Sequence, residues 1–154
     1  RYIYVDDKVT SERYLKRAFT SRFLFLSGLE GSSTGGWLFD DGELTISEIQ
    51  SKPTVLQTVF IGYHGDFEQQ FRRVRAFMNA GARTVVVPAW EVPQPELHTY
   101  LRGIFEGLTR DDPLPASLKL GRKELLQQRL RESEDGQIAP NPSIWGSFIV
   151  FGQP

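Results

Sequence analysis

Few side chains in this 154-residue chain are suited to covalent or acid–base chemistry. It contains no cysteine, which excludes disulfides, thiolate zinc sites and a cysteine nucleophile. Its two histidines, His64 and His98, are too few for most histidine-rich metal sites, and no metal is expected. His64 stands before Gly65 at the end of an apolar run, the kind of strand end where active sites of open α/β folds gather. As a general base it needs a nucleophile, and Ser27 is the nearby candidate. Ser27 lacks the Gly-x-Ser-x-Gly elbow of hydrolases, so a loop or hydrogen-bonded structural histidine is expected, with a Ser27–His64 dyad as the alternative. His98 falls one position off the apolar face of its predicted helix, which suggests a partly buried structural role.

Other groupings have simpler explanations. The run Gly31-Ser32-Ser33-Thr34-Gly35-Gly36 lacks the Gly-Lys-Ser/Thr ending that cradles a phosphate, so it reads as a loop and no nucleotide cofactor is expected. Asp40, Asp41, Glu43 and Glu48 do not have EF-hand spacing, and turn and capping roles account for them. Arg72, Arg73 and Arg75 read as a solvated helix face, with a partner-facing basic patch as the alternative. Trp90 and Glu91 follow a predicted core strand. One reading of Trp90 is a ring packed over the sheet end.

The elements that must position these residues alternate between strand and helix. Predicted strands cover Tyr2–Val5, Phe23–Leu26, Val55–Tyr63, Thr84–Val87 and Ile144–Phe151, with Trp37–Phe39 as a possible edge strand before the Asp40-Asp41-Gly42 turn. Thr10 is placed to cap a first helix whose face holds Ser11, Leu15, Ala18 and Phe19. Thr45 and Glu48 form a capping box on a short helix that Pro53 must end. Phe67, Phe71, Val74, Phe77 and Met78 line one side of a helix that Gly81 stops. Leu97, Leu101, Ile104 and Leu108 define the inner side of helix 94–108. A further helix begins near Pro115 and packs through Leu118, Gly121 and Leu125, and Arg131–Asn141 reads as a polar loop. The expected fold is α/β with a largely parallel sheet, in a single domain over residues 1–154. Net charge of −1 gives no bulk argument for nucleic acid or an anionic membrane, and no apolar run is long enough to span a bilayer. With no export signal in view, a cytoplasmic setting is expected. Because the chain begins at Arg1 rather than Met, a fragment of a longer protein is expected.

The stretches Val9–Ala18, Asp41–Ile49, Arg75–Val86 and Ile144–Gly152, taken in order, resemble the CHAT family, caspase-like domains often attached to TPR repeats in bacteria. Val9–Ala18 is similar to the helix before the family's histidine strand. Asp41–Ile49 resembles a "DG-LTxxEI" segment. Arg75–Val86 resembles "RAFLxAGARSVV", with Trp90 and Val92 where the family has "LWPV". Ile144–Gly152 is similar to the terminal "YWAAFVLxG" strand. The resemblance implies the C-terminal portion of a caspase-like three-layer fold, with the earliest strands upstream of Arg1.

It also locates two vacant catalytic roles. The family histidine in "ILHFAGHG" corresponds to Leu29, and the cysteine of "VVLSACETG" corresponds to Tyr63. Leucine cannot accept a proton, and a phenol with an ordinary pKa of about 10 is a poor substitute for a thiolate with an adjacent base. The resemblance therefore implies a pseudopeptidase that acts as a protein-binding or regulatory scaffold. Its partners would be a protein or peptide, such as TPR modules or an active CHAT relative, and His64, Trp90 and Glu91 would be its surface candidates. Two alternatives stay open: a hydrolase with a relocated site at Ser27 and His64, and a half-domain completed by another subunit.

Overall fold

Two short apolar runs, β1 (Phe23–Leu26) and β4 (Thr58–Ile61), pair in parallel, with Leu24 opposite Val59 and Leu26 opposite Ile61. The computed structural model describes residues 10–18, 20–26, 35–39, 41–62, 66–132 and 146–153. The predicted strand Tyr2–Val5 lies outside them, as do Phe19, the side chains of Leu15 and Ala18, and most of the expected polar loop after residue 132. Strand β5 (Thr84–Pro88) continues the parallel ladder on the far side of β4, and β6 (Phe148–Gly152) completes the order β1-β4-β5-β6. The Gln153 N–H donates to the Arg83 carbonyl at 3.2 Å, so the end of β6 lies beside the start of β5. The result is a mixed α/β fold with a mostly parallel four-stranded sheet.

The described chain forms two compact units, Arg1–Ala89 with Ile149–Gln153, and Trp90–Phe148 with Pro154. In the first, Leu24, Leu26, Val59, Ile61, Val85 and Val87 face one core with Ile149 and Phe151 at its margin. The alternate residues Phe23, Thr58, Phe60, Thr84 and Val86 are also buried. Burial on both faces is why these strands read as unbroken apolar runs. Strand β4 is shorter than the sequence suggests. Val55 is exposed, and the preceding amides bond elsewhere: Thr54 donates to the Ala80 carbonyl at 2.7 Å and Gln57 to that of Arg22 at 2.7 Å.

Helices α1 (Ser11–Ala18), α2 (Ile46–Ser51) and α3 (Phe67–Asn79) contribute to this core. Trp37–Phe39 (β2) is not an edge of the main sheet. It forms a separate antiparallel hairpin with β3 (Gly42–Leu44), and Trp37 and Leu44 turn into the core. Among the described side chains of α1, Tyr14 is buried and packs its ring 5.8 Å from that of Phe39; it shares a face with Ser11 but is not one of the residues named for that face from sequence.

Helix ends follow local chemistry. Thr45 and Glu48 form the expected capping box, with the Glu48 carboxylate accepting from the Thr45 N–H at 2.8 Å. The free amide of Ser11 is taken by Asp41 across the hairpin: Ser11 N–H donates to Asp41 Oδ1 at 2.7 Å and Ser11 Oγ to Oδ2 at 3.0 Å. At the end of α3, Gly81 adopts φ of 104°. Its N–H donates to the Met78 carbonyl, and that of Ala82 to the Phe77 carbonyl, the Schellman arrangement that favours glycine here.

Both capping carboxylates are held below their ordinary pKa. For Asp41 the chief cause is the Ser11 amide, and for Glu48 it is the Thr45 amide. A carboxylate whose folded pKa is lowered adds stability above its unfolded pKa and loses it as pH falls through the folded value. Urea midpoints are therefore expected to hold at neutral pH and to decline below about pH 4. The double variant Asp41→Asn, Glu48→Gln should show a shallower decline. An equal decline would mean that other groups govern it.

The main correction concerns α3. Its buried positions are Gln70, Arg73, Val74, Ala76 and Phe77, whereas Phe67 is 63% exposed and Phe71 43% exposed. The helix is thus rotated from the orientation expected from its aromatic residues. Phe71 covers Phe151 edge-on at 6.1 Å, and Phe67 stacks on Phe71. Arg73, expected in solvent, is 0% exposed. Arg72 and Arg75 are exposed as anticipated.

In the second unit, α4 (Gln94–Thr109) and α5 (Leu114–Glu132) form a helical hairpin. Leu97, Leu101, Ile104 and Leu108 are buried as their spacing requires, with Gly121 and Leu125 on the facing helix. His98 is exposed rather than partly buried. Helix α5 extends to Glu132, into the stretch expected to be loop. The turn is closed by Asp111, at φ of 60°, with the Asp112 N–H donating to the Gly107 carbonyl at 3.1 Å.

Candidate functional site

The C-terminal ends of β1 and β4 lie side by side in the sheet. Their last residues, Leu26 and Ile61, are register partners. The Gly62 N–H then donates to the Leu26 carbonyl at 2.8 Å, extending the parallel ladder by one bond. Ser27 and Leu29 follow the first of these ends in sequence, and Tyr63 and His64 follow the second. All four lie outside the described residues.

The frame around the second end is described. Asp66 caps α3, accepting the Gln69 N–H on Oδ1 at 2.9 Å, so the connection from β4 is fixed at its far side. On its near side, Gln70 reaches back from the first turns of α3 and donates from Nε2 to the Gly62 carbonyl at 3.3 Å. Gln70 is buried, and its Oε1 has no partner among the described residues. A buried amide half satisfied in this way carries a desolvation cost of about 1–3 kcal/mol unless a donor arrives. Sequence reasoning passed over Gln70 because it sits between two phenylalanines. Its spacing to Val74 and Phe77, four and seven residues on, was the available signal.

Trp90 and Glu91 belong to the second unit. Trp90 is 43% exposed and Glu91 is exposed, while Val92 is buried ahead of Pro93, the residue preceding α4. A half-exposed indole next to an exposed carboxylate offers an apolar face with an adjacent hydrogen-bond acceptor. Deeper in this unit Tyr100 stacks on Phe148 at 4.6 Å, and burial pushes its hydroxyl above the ordinary phenol range. Burial pushes Tyr14 up likewise in the first unit. Both phenols are neutral at physiological pH and unsuited to nucleophilic attack.

Among the described residues there is no cluster of three or more His, Asp and Glu side chains suited to a metal ion. No described helix is long and apolar enough to cross a membrane. No protein-family model matches the chain, and no curated protein matches it in sequence.

Proposed function

We propose that the chain is a CHAT-like pseudopeptidase, a caspase-like scaffold that binds a protein or peptide partner and does not cleave it. The observation that carries this reading is the adjacency of two strand ends. Leu29 follows β1 and Tyr63 follows β4 in sequence, and those strands are parallel neighbours in register up to Leu26 and Ile61. In the family that the sequence resembles, the base and the thiol belong after these two strands. A leucine and a tyrosine there supply neither a proton acceptor nor a low-pKa nucleophile. The resembling segments also coincide with structural joints: Asp41–Ile49 covers β3 and the capping box, and Arg75–Val86 runs from α3 through Gly81 into β5. The partner would engage the strand-end connections or the Trp90–Glu91 surface, in a cytoplasmic complex with TPR modules or an active relative.

Incubation of the purified chain with a diverse peptide library is expected to give no cleavage. Reproducible cleavage that disappears in His64→Ala would overturn the reading and favour a relocated hydrolase using Ser27 and His64.

One observation favours a second reading, a half-domain completed by another subunit. Among the described residues β1 and β6 are the outer strands of the sheet, and Phe148–Phe151 of β6 are only half-buried. Outer strands present backbone groups that invite pairing. This reading expects a dimer or heteromer by light scattering at micromolar concentration, and a monomer at every concentration tested would count against it.

A further inference from the structure

Helix α3 buries two polar side chains, Gln70 and Arg73, one turn apart on its inward face. Each holds a backbone carbonyl of a different connecting segment. Gln70 Nε2 donates to the Gly62 carbonyl, at the end of β4. Arg73 Nε donates to the Gly35 carbonyl at 2.7 Å, just ahead of β2, and its guanidinium lies 5.0 Å from the centroid of the Trp37 ring. Arg73 therefore reads two points of one strand lead-in at once, residues 35 and 37. Between them Gly36 runs against β3 so closely that a Cβ there would sit 2.1 Å from the Leu44 carbonyl oxygen. The chain at this point is held by β3 on one side and by α3 on the other.

A buried guanidinium carries a desolvation penalty comparable to what its partners return, and a well-packed apolar side chain of similar volume is often as stable. Its planar fork does what an apolar group cannot, which is to fix a carbonyl and an aromatic face in one geometry. We infer that Gln70 and Arg73 form a positioning device on α3, which sets the backbone paths of the β4 exit at Gly62 and the β2 lead-in at Gly35–Gly36. Its role is the choice of path rather than net stability. The inference stands on these contacts alone and does not depend on the family resemblance.

Amide hydrogen exchange on the whole chain tests it. In Arg73→Met, exchange at Gly35, Gly36 and Trp37 is expected to rise at least about tenfold, while Val59, Phe60, Val85 and Val86 stay within about twofold. Gln70→Met is expected to raise exchange selectively at Gly62. Arg73→Lys keeps the charge but not the planar Nε donor, and it should behave as Arg73→Met does. Unchanged protection at Gly35–Trp37 in either Arg73 variant would overturn the assignment. A uniform loss that includes β4 and β5, or failure of both Arg73 variants to fold, would equally overturn it, because each would make Arg73 a source of global stability.

Discussion

Replacing Phe77 by alanine is expected to destabilise the first unit by about 3–5 kcal/mol. Phe77 is fully buried on α3, with its ring 5.9 Å from that of Trp37 in an edge-on contact. It shares its core with residues of β1, β4 and β5, so the surroundings cannot collapse readily into the space that the ring leaves. The same substitution at Phe71, also an aromatic residue of α3 but 43% exposed, removes less buried surface and should cost less than half as much. Urea unfolding followed by circular dichroism measures both. Equal losses at the two positions would contradict the orientation of α3, because a helix turned to bury its phenylalanines would make them comparable.

A second large effect is expected where α4 and α5 touch. A Cβ at Gly121 would lie 2.6 Å from the Tyr100 carbonyl oxygen and 2.8 Å from Ile104 Cγ1, and one at Gly103 would lie 2.8 Å from the Gly121 Cα. The two backbones thus meet without side chains between them. Gly121→Leu is expected to destabilise the helical hairpin by about 3 kcal/mol, the upper end for overpacking, because the obstructing Tyr100 carbonyl is backbone and cannot rotate away. Gly121→Ala should cost less but remain measurable, since even one methyl requires the helices to separate. Loss of protection confined to α4 and α5 in hydrogen exchange would locate the effect. A leucine variant as stable as the parent would show that the helices do not approach this closely.

These two sites were unequally legible beforehand. Gly121 and Leu125 were assigned to the packing face of α5 from spacing alone, and both are buried. On α3 the same method put Phe67 and Phe71 inside and Arg73 outside, and the fold reverses all three. Hydrophobicity ranks side chains one at a time. The inward arc of a helix is chosen by what the remainder of the chain sets against it. Arg73 is accommodated by the Gly35 carbonyl and the Trp37 ring, neither of which is a neighbour in sequence. Phe71 is tolerated at the surface because Phe151 of β6 gives it an edge to cover.

The strand ends were legible in part. The apolar runs identified β1 over its observed range and β5 to within one residue, and placed the start of β4 three residues early, at Val55 instead of Thr58. Their order and register, and hence the adjacency of Leu26 and Gly62, came only from pairing. The burial of Gln70 is legible in its spacing to Val74 and Phe77, but its partner is not, because the Gly62 carbonyl is a group that every residue possesses.

The missing cysteine, the Thr45–Glu48 capping box, the glycine stop at Gly81 and the buried face of α4 were all determined by sequence, since each depends on composition or on residues within a few positions of one another. Tertiary structure alone decided that Trp37 belongs to a separate hairpin, that Asp41 caps α1 and that Tyr14 and Arg73 are buried. The physical reason is range: capping and periodicity are satisfied within a turn of helix or strand, whereas a buried polar group needs a partner that arrives only when distant segments pack.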